Sequence, residues 1–105
     1  MVSELHYTNT TMSKYSWVIT KDNLAESPLE SSVGTLGPHN CSEPAEHIKA
    51  RGTKFRMKDD DGEIYYYGFI YGDYEGFEPL DDFGMPNAGC TSIEYKNKQG
   101  EWEAL

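Results

Sequence analysis

Apolar and polar side chains alternate along several short stretches of the chain, and that period of two marks its strands. In Tyr15–Thr20 (YSWVIT), Tyr15, Trp17 and Ile19 fall on one side and Ser16, Val18 and Thr20 on the other. Thr53–Lys58 alternates again, with Phe55 and Met57 set against Lys54, Arg56 and Lys58. Asp59-Asp60-Asp61-Gly62 then reads as a turn, Asp-Gly being a strong hairpin signal, and Glu63–Tyr71 returns as the partner strand. A two- or four-residue loop predicts that Phe55 and Met57 share a core face with Ile64, Tyr66 and Ile70. Lys54, Arg56 and Lys58 then lie with Tyr65, Tyr67 and Phe69 on the other face, where cations and rings attract. An odd loop reverses the pairing. A second hairpin, Cys90–Lys96 with Glu101–Leu105 about Asn97–Gly100, sets Tyr95 opposite Trp102 and Ile93 opposite Ala104. It also sets Glu94 opposite Glu103, a mildly destabilising like-charge pair.

The intervening segments lack this period. Residues 1–14 are polar and read as a loosely ordered N-terminal segment. Asp22–Asn40 holds Pro28, Gly34, Gly37 and Pro38 and reads as loop, with a short extended piece near Val33. Ser42-Glu43-Pro44 is a helix start, with a capping hydroxyl, a first-turn carboxylate and a proline at a position that needs no N–H. The helix runs through Ala45, His47, Ile48 and Arg51, stops at Gly52, and must dock Ala45 and Ile48 on a sheet to persist. Gly72–Gly89, eighteen residues, is too long for a plain hairpin turn; Phe77, Leu80, Phe83 and Met85 fasten it down as a compact surface loop. The prediction is one α+β domain over residues 1–105: an antiparallel sheet, open or curled, of about five strands with one short helix packed on it.

Charge sharpens this picture. The net charge of −9 is lopsided: residues 1–58 carry a net +1 and residues 59–105 a net −10. From Asp59 to Asp82 there are nine carboxylates and no Lys or Arg, interleaved with Tyr and Phe. Such a half repels a phosphate backbone and attracts basic surfaces, so a basic protein partner is expected, with no direct nucleic acid and no anionic membrane. No apolar run is long enough for a membrane span and no signal-peptide pattern is present, so the expected location is cytoplasmic. Two cysteines make no disulfide framework.

The candidate chemistries are few. Aligning Gly62 with the required glycine of an EF-hand loop places Met57 first and Gly68 twelfth, where carboxylates are needed, so that loop is excluded; a looser cation site at Asp59, Asp61 and Glu63 is the remaining metal reading there. His39, Cys41 and His47 lack a second ligand pair for zinc. A cysteine nucleophile with His6, His39 or His47 lacks any motif around it, and Asp81 with Asp82 would serve as acid and base only if one were desolvated. The expectation is therefore a non-enzymatic interaction protein with no cofactor. Its partner-binding residues are Asp59, Asp60, Asp61, Glu63, Asp73, Tyr74, Glu75, Glu78, Asp81 and Asp82. They would bind and inhibit a basic nucleic-acid-binding protein such as a nuclease, mimicking nucleic acid as a phage-type counter-defence inhibitor does. An immunity or antitoxin protein against a toxin nuclease, and a small metal- or carboxylate-dependent enzyme, are the alternatives.

Overall fold

In a computed structural model, residues 12–105 are described. Six strands form one antiparallel sheet: β1 (Tyr15–Asp22), β2 (Leu36–Gly37), β3 (Thr53–Lys58), β4 (Ile64–Gly72), β5 (Ser92–Lys96) and β6 (Trp102–Ala104). Their spatial order is β2-β1-β4-β3-β5-β6. Two short helices, α1 (Ala45–Arg51) and α2 (Met85–Ala88), pack on it, α2 continuing a π-helical turn over Leu80–Gly84. The α+β expectation holds, with one strand and one helix more than the pattern showed. No helix among the described residues is long and apolar enough to cross a membrane.

The alternation positions the core. Trp17, Ile19, Phe55, Met57, Tyr66, Ile70 and Ile93 line one face and are covered by Leu80 and Phe83 from the π-helical turn and by Cys90. Phe83 sets its ring against Trp17 and Tyr66, with centroids 5.5 and 5.0 Å away. The turn can come this close because residue 84 is glycine, where a Cβ would stand 2.6 Å from the Met57 sulfur. Phe77 and Met85, expected to help fasten the segment, are each 49 % exposed. The opposite face is buried only where α1 lies on β1 and β4, with Ile48 inside and the His47 ring against Tyr71. Gly52 closes α1 as expected, but Pro44 rather than Ser42 is the residue at its start, and no side chain caps it.

Both hairpins of the β3–β4 and β5–β6 pairs close with the same five-residue chemistry. Asp59 Oδ1 accepts the N–H groups of Asp61 and Glu63, and Asn97 Oδ1 accepts those of Gln99 and Glu101. Gly62 and Gly100 follow at φ 84° and 83°, where a side chain would be strained. These odd-length loops pair Lys58 with Ile64 and Lys96 with Trp102. In the first hairpin a bulge between Met57 and Lys58 restores the expected face for Phe55, Met57, Tyr66 and Ile70. The bulge moves Tyr65 onto the core cluster and leaves Ile64 out of it, the reverse of the expected assignment. The second hairpin has no such correction. Tyr95 meets Glu103 instead of Trp102, and Trp102 turns to the opposite face. That one-residue slip removes the Glu94–Glu103 conflict.

Of the expected loose segment 1–14, residues 1–11 lie outside the described residues. Ser13 donates to the Asn40 carbonyl and Lys14 accepts from Asp73 N–H, which ties down the approach to β1. The extended piece foreseen near Val33 falls instead at Leu36–Gly37, where β2 pairs with β1.

Candidate functional site

The acidic stretch is continuous in sequence but divided in space. Strand β4 is nine residues long and runs straight through it, so Asp59–Glu63 and Asp73–Asp82 stand at its two ends, roughly 27 Å apart at ~3.3 Å per residue. They form two separate clusters with strand β4 between them.

At the first end the chemistry is internal. The Asp59 carboxylate, besides its two backbone bonds, accepts the Tyr65 hydroxyl at 2.8 Å. Its pKa lies below the usual range, first because of the bond from Glu63 N–H and then because of the Tyr65 hydroxyl. Asp60, Asp61 and Glu63 project into solvent. Among the described residues no three His, Cys, Asp or Glu side chains are grouped to hold a metal ion.

At the second end five carboxylates gather where the helical segment crosses the start of β1. Asp82 Oδ2 accepts the Tyr15 hydroxyl at 2.8 Å and the Trp17 indole N–H at 3.0 Å. Burial, then the Asp82 hydrogen bond and the charges of Asp82, Glu78 and Asp81, drive the Tyr15 pKa well up. Glu78 accepts the N–H groups of Glu75 and Gly76, each at 2.7 Å. Burial disfavours its charge, yet those backbone donors prevail and its pKa is lowered. Tyr74 stacks on Tyr95, with centroids 6.0 Å apart, and the Tyr95 hydroxyl donates to the Gly76 carbonyl at 2.7 Å. An open cleft of about 460 Å³ lies beside them, lined by Lys14, Tyr15, Asp73, Tyr74, Glu75 and Glu78 together with Met12 and Ser13. The ion pairs among the described residues are Glu43–His47, Arg56–Glu94 and Lys58–Glu94, so none neutralises Asp73, Glu75, Glu78, Asp81 or Asp82.

The expected partner-binding set thus splits. Asp73, Tyr74, Glu75, Glu78, Asp81 and Asp82 come together, whereas Asp59, Asp60, Asp61 and Glu63 form a separate tip. Cys90 is fully buried, and desolvation, followed by the nearby Asp59 charge, pushes its thiol up to about 11. A thiol so placed is protonated at neutral pH and unsuited to attack. His6 lies outside the described residues.

Charge totals hid a second feature. On the sheet face away from the core, Lys21 and Lys54 place their ammonium groups 5.5 and 5.4 Å from the Tyr67 ring centroid. The Arg56 guanidinium lies 4.3 Å over the Trp102 ring and the Lys96 ammonium 5.7 Å from it. Tyr67 and Trp102 stand 6.0 Å apart, edge to face. The alternation of β3 announced Lys54, Arg56 and Lys58 on this face; the bulge in β1 that brings Lys21 opposite Tyr67, and the slip that turns Trp102 over, had no signal in the pattern.

Comparison with protein-family models, with curated proteins and with solved structures gave no significant match.

Proposed function

We propose that the chain is a non-enzymatic binding protein that docks Asp73, Glu75, Glu78, Asp81 and Asp82, with Tyr74 as an aromatic anchor, onto the lysines and arginines of a basic partner. The observation that supports this is five carboxylates converging at one end of the sheet without a Lys or Arg ion pair among the described residues. Self-repulsion makes such a cluster costly unless an outside cation offsets it. Glu78 and Asp82 are held by backbone and indole donors, so their charges stay fixed in direction and little entropy is lost on docking. A partner whose cationic groove normally holds DNA or RNA would be blocked by this surface, which makes inhibition of a cytoplasmic nuclease or similar protein the activity we assign. Neutralising a toxin nuclease would use the same surface. The Asp59–Glu63 tip stands apart from it.

The test is affinity capture on the immobilised chain, comparing wild type, the triple variant Asp73→Lys/Glu75→Lys/Asp81→Lys, and the tip variant Asp60→Lys/Asp61→Lys. Wild type and the tip variant should retain the same basic nucleic-acid-binding protein, released by moderate salt or by added duplex DNA. The triple variant should not retain it. Equal retention by wild type and the triple variant, or release indifferent to salt and DNA, would overturn the proposal.

A further inference from the structure

We propose that the open half of the outer sheet face, built on Tyr67 and Trp102, is a binding platform for single-stranded nucleic acid. It is separate from the acidic end and rests on different residues. Among the described residues, helix α1 packs on this face chiefly over β1 and β4, and no helix makes a comparable contact with β3, β5 or β6 there. Five of the chain's nine Lys and Arg residues gather here: Lys21, Lys54, Arg56, Lys58 and Lys96. Glu94 is the carboxylate paired among them, accepting from Arg56 at 2.6 Å and from Lys58 at 3.1 Å, which leaves a local net charge of +4 on a chain of net −9.

Two geometric facts select the ligand. Lys54, Arg56 and Lys58 alternate along β3, so their backbone positions are spaced by ~6.6 Å along the strand, comparable to the phosphate repeat of an extended single strand, with Arg56 and Lys58 converging on Glu94. Between the cations lie half-buried rings, and an open cleft of about 420 Å³ lined by Thr20, Lys21, Lys54 and Tyr67 leads to one of them. Carboxylates of an acidic peptide would satisfy the cations but leave the rings unused. A duplex keeps its bases stacked on one another. Unpaired bases with their phosphates use both, the rings as stacking surfaces and the cations as charge partners. The chain-wide negative charge does not forbid this, because at physiological salt the screening length is about 8 Å and the acidic ends of β4 lie farther away than that from the Tyr67–Trp102 pair at its middle.

Trp102 is its own reporter, since the other tryptophan, Trp17, is buried in the core on the opposite face. Titrating the full chain with a fifteen-nucleotide thymidine oligomer should quench its emission. With about four phosphates neutralised, affinity should fall roughly fifty-fold between 50 and 200 mM salt. Lys21→Glu, at an exposed position, should weaken binding by tenfold or more, as should Tyr67→Leu, which keeps every cation. The Asp73→Lys/Glu75→Lys/Asp81→Lys variant should bind the oligomer at least as well as wild type, so loss of the acidic-end reading leaves this one intact. No quenching at 50 mM salt, equal binding of polyglutamate or of a duplex of the same length, or undiminished binding by folded Tyr67→Leu and Lys21→Glu would each overturn the proposal.

Discussion

Replacing Asp82 with alanine should destabilise the fold by about 2 kcal/mol. Asp82 itself is exposed, but its Oδ2 is the acceptor for the indole N–H of Trp17, a residue 3 % exposed, and for the Tyr15 hydroxyl. Alanine leaves the indole N–H buried without a partner, a loss of about 1–3 kcal/mol. The Tyr15 hydroxyl can turn to water, which costs under about 1 kcal/mol, and removing one charge from a crowded acidic cluster returns about 0.5 kcal/mol. Asparagine keeps one acceptor oxygen and should lose about half as much. With a urea slope of roughly 1–2 kcal/mol/M for a domain of this size, the alanine variant's midpoint should drop by about 1–2 M. A double-mutant cycle with Trp17→Phe, read by circular dichroism, isolates the bond and should show a coupling of about 1 kcal/mol. The pH dependence has a definite sign. The Tyr15 pKa is raised in the folded state, so its contribution is complete below the ordinary tyrosine value near 10 and is lost as pH climbs above it. Wild type should therefore weaken above pH 10 more steeply than Asp82→Ala. A loss under about 0.5 kcal/mol for Asp82→Ala, or strict additivity with Trp17→Phe, would refute the argument.

Glu94 offers the opposite pH test. Burial opposes its charge, but the hydrogen bonds and charges of Arg56 and Lys58 outweigh burial and lower its pKa, so its contribution is complete above the ordinary glutamate value near 4.3 and fades as pH falls further. The stability gap between wild type and Glu94→Gln, measured by urea titration, should be open at pH 6 and narrow towards pH 3. In the turns, Gly62→Ala and Gly100→Ala should each cost about 1–2 kcal/mol because both glycines hold left-handed backbone, whereas Asn at either position should cost markedly less; thermal melts would show the difference.

Much of this was legible in the residues. The faces of β3 and β4 followed from alternation because each strand buries one clean apolar row. Strand β1 buries residues on both faces where α1 covers it, and Arg51 and Gly52 ended α1 as expected while its start fell at Pro44 and not at Ser42. What escaped was parity and proline. A hairpin loop of five residues looks like one of four when Asp-Gly or Gln-Gly sits near its end, and only the bulge beside Tyr65 separates the two outcomes. The helical turn over Leu80–Gly84 was hidden because Pro79 and Pro86 flank it, yet Pro79 stands at the helix start where no N–H is missed, and Pro86 falls just past the point where the π-helical turn hands over to α2. The acidic run read as one surface because charge counting ignores that nine of the intervening residues are extended strand. The cations looked outnumbered because a total cannot register that five of them share a face.

The twin turns make folding and electrostatics separable. Asp59-Asp60-Asp61-Gly62-Glu63 and Asn97-Lys98-Gln99-Gly100-Glu101 solve the same closure with an Asx oxygen and a glycine, yet the first carries a charge of −4 and the second is neutral overall. Writing the second sequence into the first position would shift the charge of one pole of the molecule by four units, removing three carboxylates and adding one ammonium, while keeping the Asx oxygen and the glycine that close the turn.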